Sequence, residues 1–150
     1  MLTLAYFDIE ETNYLSQDPA NIQNFIQGGA VGSKGFEAEA VYRVPENFDV
    51  TASYSYIDAE VITSSQALTA GDRIAGQPRR LASLWGTKTF FVGDDWKLRI
   101  GGGVRHVGDR IDASQTLVMP SVTLVDAMVS AAYGQWEISV TSSQDRTSVV

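Results

Sequence analysis

Phe48-Asp49-Val50-Thr51-Ala52-Ser53-Tyr54-Ser55-Tyr56 alternates apolar and polar residues without a break. Side chains of an extended chain point to opposite faces in turn, so Phe48, Val50, Ala52, Tyr54 and Tyr56 share one face. Asp49, Thr51, Ser53 and Ser55 share the other. The stretch reads as a strand with one apolar and one polar face. Working outward, Trp96, Leu98, Ile100, Gly102 and Val104 oppose Lys97, Arg99, Gly101, Gly103 and Arg105. Phe36, Ala38, Ala40 and Tyr42 oppose Glu37, Glu39 and Arg43, with Val41 the exception. Trp136, Ile138 and Val140 oppose Glu137, Ser139 and Thr141. Three further segments are β-rich with mixed faces, and no segment carries the i, i+3, i+4, i+7 spacing of a helix. The expected strands are 2–14, 34–44, 48–61, 80–91, 96–110, 122–133 and 136–142, an all-β antiparallel meander.

Composition narrows the class. The 150 residues include 11 Lys plus Arg, 18 Asp plus Glu, one His and no Cys, for a net charge of −7. Without Cys there are no disulfides, thiol nucleophiles, zinc ribbons or iron–sulfur clusters. One His excludes a His-rich metal site. The acidic balance argues against a nucleic-acid surface, which needs clustered cations. No apolar run is long enough for a transmembrane helix, and the N-terminus lacks the basic and apolar regions of a signal peptide. A membrane β-barrel survives every one of these exclusions, because its apolar residues are dispersed in alternation.

The connections alternate in length. Pro45-Glu46-Asn47, Val92-Gly93-Asp94-Asp95 and Gly134-Gln135 are short turns, while 16–34, 63–77 and 111–119 are long and polar. Short turns at one end and long loops at the other are the layout of an outer-membrane barrel. Each short turn is bracketed by aromatics: Tyr42 and Phe48, then Phe90, Phe91 and Trp96, then Tyr133 and Trp136. Such rings favour a membrane–water interface, where an apolar body and a polar edge are both satisfied. On this reading Glu37, Glu39, Arg43, Lys97, Arg99, Arg105, Asp126 and Glu137 face a lumen. The alternative is a small soluble β-sandwich or lipocalin-like binding module, whose solvated face shows the same alternation.

Several stretches carry a family resemblance. Phe7-Asp8-Ile9, Thr12-Asn13 and Asp18-Pro19 resemble the late-barrel F-x-I, T-N, D-P run of TonB-dependent siderophore receptors. Gly32-Ser33-Lys34-Gly35-Phe36-Glu37-Ala38-Glu39 resembles their R-S-x-G-x-E-x-E strand entry, with Gly32 where an Arg is usual. Ala52-Ser53-Tyr54-Ser55-Tyr56-Ile57-Asp58-Ala59-Glu60-Val61 is similar to A-S-Y-S-Y-x-D-A-x-V. Pro78-Arg79-Arg80-Leu81-Ala82-Ser83-Leu84-Trp85 is similar to P-x-H-x-A-S-L-W, with Arg80 at the His. Gly101 to Arg110 resembles G-x-G-V-R-Y-V-G-x-R, and Val122 to Met128 resembles Y-T-L-V-D-A-M. These matches keep the family's order from about Phe7 to Val140.

The resemblance implies about seven strands of a 22-stranded barrel in the outer membrane of a Gram-negative cell. Such receptors carry ferric siderophores inward, energised through TonB. It implies that the plug domain, the TonB box and the signal peptide lie outside this chain. It implies no catalysis and no cofactor: iron enters only as part of the siderophore. Ferric siderophore, TonB and outer-membrane lipid are the implied partners, with no nucleic acid. Beyond Val140, residues 141–150 depart from the family's closing run and end without its terminal aromatic, so a frame-shifted, truncated or fragmentary gene product is expected. Isolated, such a segment is expected to form an open curved sheet, or to aggregate in water.

Reactive motifs are otherwise absent. Gly101-Gly102-Gly103 lacks the Gly-Lys-Ser/Thr of a phosphate loop and sits within a strand. His106 has no nucleophile motif near it and reads as structural. Asp94-Asp95 lacks calcium-loop spacing. No metal-ligand set is expected. Contacts to a ferric chelate are expected from the long loops, at Gln17, Asn21, Asn24, Gln66, Arg73, Arg79 and Arg80.

Overall fold

The computed structural model describes residues 1–146 apart from 19, 22, 46, 67, 68 and 94, and leaves out the side chains of 17, 145 and 146. The elements are β1 (Leu2–Thr12), β2 (Leu15–Gln17), β3 (Phe25–Gln27), β4 (Ala30–Val44), β5 (Phe48–Thr63), β6 (Arg80–Val92), β7 (Trp96–Val107), β8 (Arg110–Ile111), β9 (Val118–Met119), β10 (Val122–Tyr133) and β11 (Trp136–Arg146). Seven of them form one antiparallel sheet in the order β1-β4-β5-β6-β7-β10-β11. β2 pairs with β3, and β8 with β9, as two small separate ladders.

Several boundaries differ from those expected, each for a local reason. β1 stops at Thr12, not 14, because Asn13 takes a left-handed φ of 56°. β4 starts at Ala30, directly after Gly29 at φ 75°. The Asn13 amide donates to the Gly29 carbonyl at 2.9 Å, and beyond that kink β2 and β3 resume pairing. The expected loop 16–34 is therefore largely a hairpin. β7 ends at Val107, not 110, because Gly108 turns its amide to the Arg80 carbonyl at 2.8 Å. β5 runs on to Thr63, β6 to Val92 and β11 to Arg146. The turn residues Asn47, Gly93 and Gly134 have φ of 61°, 65° and 55°, which suits tight hairpins.

Register assigns every side chain to a face, since directly paired residues point the same way. The row Phe48–Lys88–Ile100–Val129–Val140 crosses β5 to β11 on one face. Tyr42, Trp96, Tyr133 and Trp136 lie on that face at the short-turn end. At the other end it turns polar along Asp8–Lys34–Asp58 and His106–Thr123. From Phe48 to Asp58, from Trp96 to His106 and from Tyr133 to Thr123 is ten residues each time. At ~3.3 Å per residue and ~40° of tilt, that is about 25 Å, the height of the apolar band of an outer-membrane barrel.

No second layer covers this band. Among the described residues the buried apolar side chains are Ala30, Val31 and Val61 alone. Leu84, Ile100, Val129, Ile138 and Val140 are exposed. The accessible surface is 10480 Å², against about 7,500 Å² for a compact protein of this mass. The sandwich alternative needs two packed sheets around a core, whereas the described residues build one large sheet and two small ladders with no core between layers.

On the opposite face, aromatic rings cover glycines. A Cβ on Gly103 would stand 2.5 Å from the Trp85 ring, and one on Gly101 would stand 3.0 Å from it. A Cβ on Gly35 would stand 2.8 Å from the Phe7 ring. Gly35 and Gly103 also stand against the Tyr56 and Leu84 carbonyls, so these glycines leave room for the neighbouring backbone and the rings at once.

Candidate functional site

All eight residues expected to face a lumen lie on the face opposite the apolar band. Glu37 pairs with Ser55 and Glu39 with Ser53, Arg43 with Asp49, Arg99 with Ser130, and Arg105 with Leu124. Lys97 and Glu137 both pair with Ala132, and Asp126 pairs with Gly103. The odd positions of β4 and β7 reach this face because the pleat has a period of two. Charges there interact along and across strands. Ser55 Oγ donates to Glu37 Oε1 at 3.1 Å, and the Ser53 and Ser83 hydroxyls are 2.7 Å apart. Arg43 stands 3.7 Å from Asp49, and Arg105 stands 3.7 Å from Asp126. Lys97 Nζ lies 5.7 Å from the centre of the Phe91 ring. Near the short turns, Arg43, Lys97 and Arg99 line one shallow depression, and Glu37, Glu39, Ser53 and Ser55 line another. The face thus carries three cations at the short-turn end, with Asp49 and Glu137 among them, and two carboxylates above on β4.

The long connections fold into two groups. The first is the β2–β3 hairpin. At its tip Asp18 donates its amide to the Asn24 carbonyl at 3.0 Å, and Asn21 Oδ1 accepts the Gln23 amide at 3.1 Å. Asn21 and Asn24 therefore sit together at the tip. The backbone of Gln17 belongs to β2, and its side chain lies outside the described residues.

The second group joins the β5–β6 and β7–β10 connections. Arg73 Nη1 donates to Asp109 Oδ2 at 2.9 Å and Nη2 donates to the Asp109 carbonyl at 3.3 Å. Gln115 Nε2 donates to the Arg73 carbonyl at 2.7 Å, and the Gly76 amide donates to the Ile111 carbonyl at 2.9 Å. Upstream, the amides of Gly71 and Ile74 donate to the carbonyls of Val61 and Ala59, so the loop lies back along β5. The Arg73 hydrogen bond, with its positive charge, holds the Asp109 carboxyl below the usual carboxylate range. Asp112 is held low too, by the Ser114 hydroxyl first and then by the Leu117 and Thr116 amides.

The expected ligand residues are thus dispersed. Arg73 and Arg79 belong to the second group, but Arg73 holds Asp109 and Arg79 holds Asp58 at 2.9 Å. Gln66 lies exposed on the same connection. Arg80 opens β6 opposite Tyr56, on the apolar face at its polar margin, not in the loops. His106 Nδ1 stands 3.0 Å from the Thr123 hydroxyl across the β7–β10 pair, a partner for a strand-end His. Sequence reasoning did not find the Arg73–Asp109–Gln115 clip, in which Arg73 is 36 and 42 residues from its two partners. Nor did it find the placement of Trp85 and Phe91 on the polar face.

A chain with this two-faced sheet matches the family model described as TonB dependent receptor-like, beta-barrel, over residues 1–142. The chain belongs to this family. It is 34% identical over 130 residues to the ferrichrome outer membrane transporter/phage receptor of Escherichia coli, covering 86% of this chain and 17% of that protein. The metal-pseudopaline receptor CntO of Pseudomonas aeruginosa is 32% identical over 129 residues, covering 85% and 18%. The ferrioxamine receptor of Yersinia enterocolitica is 31% identical over 117 residues, covering 77% and 16%. The chain spans less than a fifth of the length of these relatives. Within a TonB-dependent receptor of the outer membrane it is a stretch of barrel wall, and the barrel is not closed by these seven strands. The family is one of receptors and transporters.

Proposed function

We propose that this chain forms part of the wall of an outer-membrane receptor for ferric siderophores. The apolar band meets lipid, the charged face lines the lumen, and the long connections lie at the outer mouth. The observation that carries this reading is the segregation of faces across seven strands, in a chain that resembles ferrichrome and ferrioxamine receptors. A wall of this kind is a scaffold for passage, not a centre of bond-making chemistry. Its lumen charges hold polar protein or water, where they are tolerated, while the same charges on the lipid face would be costly. Iron enters within its chelate, so the metal is cargo and needs no protein ligand on this segment. TonB would act through parts of a receptor other than these strands.

A chimera tests the proposal. This chain replaces the matching segment of the Escherichia coli ferrichrome transporter, and uptake of radioactive iron as ferrichrome is measured in iron-starved cells. The expected result is outer-membrane insertion with uptake restored to within about tenfold of the parent. A chimera that inserts normally and transports neither ferrichrome nor a panel of hydroxamate and carboxylate chelates would contradict it.

A further inference from the structure

β5 outruns β6: their last pair is Tyr56 with Arg80, and β5 continues to Thr63. Segment 71–76 of the β5–β6 connection takes the vacated place. The Gly71 amide donates to the Val61 carbonyl at 2.9 Å, the Val61 amide to the Asp72 carbonyl at 2.8 Å, and the Ile74 amide to the Ala59 carbonyl at 3.1 Å. Glu60 and Arg73 form an antiparallel bridge between them. The same segment meets the β7–β10 connection, where the Gly76 amide donates to the Ile111 carbonyl at 2.9 Å. The wall is thus continued past the start of β6, from β5 through this segment to the β8–β9 pair.

Arg73 is where the two connections close on each other. Its side chain is only 19% exposed, its guanidinium donates to Asp109 Oδ2 and to the Asp109 carbonyl, and its own carbonyl accepts Gln115 Nε2 at 2.7 Å. Gln115 makes that bond from a left-handed backbone, φ 58°, a position that favours glycine. Its own turn, 112–117, is closed by Asp112, whose carboxylate accepts the Thr116 and Leu117 amides at 3.0 Å each. The Gln115 side chain reaches instead to the other connection. We propose that the two connections open and close as one body, latched through Arg73 and Gln115, so that a molecule displacing either displaces both. The physical reason is that moving one connection alone strips partners from a largely buried guanidinium and from the Arg73 carbonyl together, so a half-open state is penalised. Gln115 is a positioning residue in this latch, and the latch does not depend on the cargo proposed above.

Amide hydrogen exchange of the full chain in phosphatidylcholine vesicles tests the coupling, since each protected amide reports the opening of its own segment. Gly71 and Gly76 report the first connection, Asp112 and Leu117 the second, and all rates are taken relative to amides within β7. Gln115→Gly suits the left-handed turn and removes only the bond to Arg73. It should speed exchange at Gly71 and Gly76, in the other connection, by about fivefold. Arg73→Gln should speed exchange at these two and at Asp112 and Leu117 by a similar factor. Asp109→Asn, which keeps the shape and removes the charge, should act on the same four amides in the same direction. The latch is overturned if Gln115→Gly leaves Gly71 and Gly76 at their parent rates. It is equally overturned if Arg73→Gln and Asp109→Asn each loosen one connection and leave the other unchanged.

Discussion

Placing an arginine at Val129 should damage the folded chain far more than placing one at Ser139, although the two sites are on paired strands. Val129 sits four residues from the Tyr133 rim and six from the Thr123 margin. At ~3.3 Å per residue and ~40° of tilt it lies about 10 Å above the rim, close to the middle of a band about 25 Å high. Its side chain is 48% exposed and neighbours Ile100 and Val140, so the larger residue meets no packed core. The cost is therefore that of a cation facing hydrocarbon near the midplane, roughly 2–4 kcal/mol. Ser139 pairs with Ser130 on the opposite face and is exposed, so Ser139→Arg should stay within roughly 0.5 kcal/mol. With an m-value of about 2 kcal/mol/M, Val129→Arg should lower the urea midpoint of vesicle-bound chain by about 1–2 M. Ser139→Arg should move it by about 0.3 M or less. The assay is tryptophan emission and β-sheet circular dichroism against urea in phosphatidylcholine vesicles. Equal midpoints for the two variants would refute the assignment of the faces.

The other expectations follow from local geometry. Gly103→Ala presses a methyl on its nearest neighbour, the Leu84 carbonyl, and on the Trp85 ring at 2.5 Å, whereas Gly102→Ala meets its nearest neighbour, the Asp126 carbonyl, at an ordinary 3.6 Å. The first should cost about 1–3 kcal/mol and the second under about 1 kcal/mol, read from the same urea midpoints. Carboxyl-carbon NMR should find Asp109 titrating below the ordinary carboxylate range, and Arg73→Gln should bring it back toward that range. The sign is that of a depressed carboxylate. The clip's contribution is fully present above the unfolded value of about 3.9 and is lost as pH falls through the lower folded value. With Asp109 half exposed, that contribution is small. An Asp109 titration unmoved by Arg73→Gln would remove the clip from the account.

Legibility in the sequence followed the simplicity of each strand's surroundings. Phe48–Tyr56 and Trp96–Arg105 could be read at sight because each meets one apolar and one polar medium along most of its length. β1 was obscure because its apolar face ends at Tyr6, after which Asp8 and Glu10 continue the same face beyond the band. Phe7 meanwhile lies on the polar face over Gly35. β6 was obscure for two reasons: Trp85 covers glycines of β7 on the polar face, and Lys88 interrupts the apolar one. Each departs from binary alternation because of a partner on another strand, which periodicity within one strand does not record. The β2–β3 hairpin was hidden for a related reason, since it continues the β1–β4 pairing past a kink at Asn13 and Gly29. The family resemblance supplied the order of segments but not the internal use of the loop cations. Arg73 and Arg79 looked available because Asp109 and Asp58 are 36 and 21 residues away.

The central claim is that the two faces of this sheet meet different media. Single cysteines, fluorophore-labelled for the quenching readout and placed in β7 at residues 97–100, 102, 104 and 105, clear of the crowded Gly101 and Gly103, test it most directly in the vesicle-bound chain. The even positions 98, 100, 102 and 104 should be quenched by brominated lipid and be slow toward a membrane-impermeant thiol reagent. The odd positions 97, 99 and 105 should show the reverse. Equal reaction from water on both faces would contradict the account.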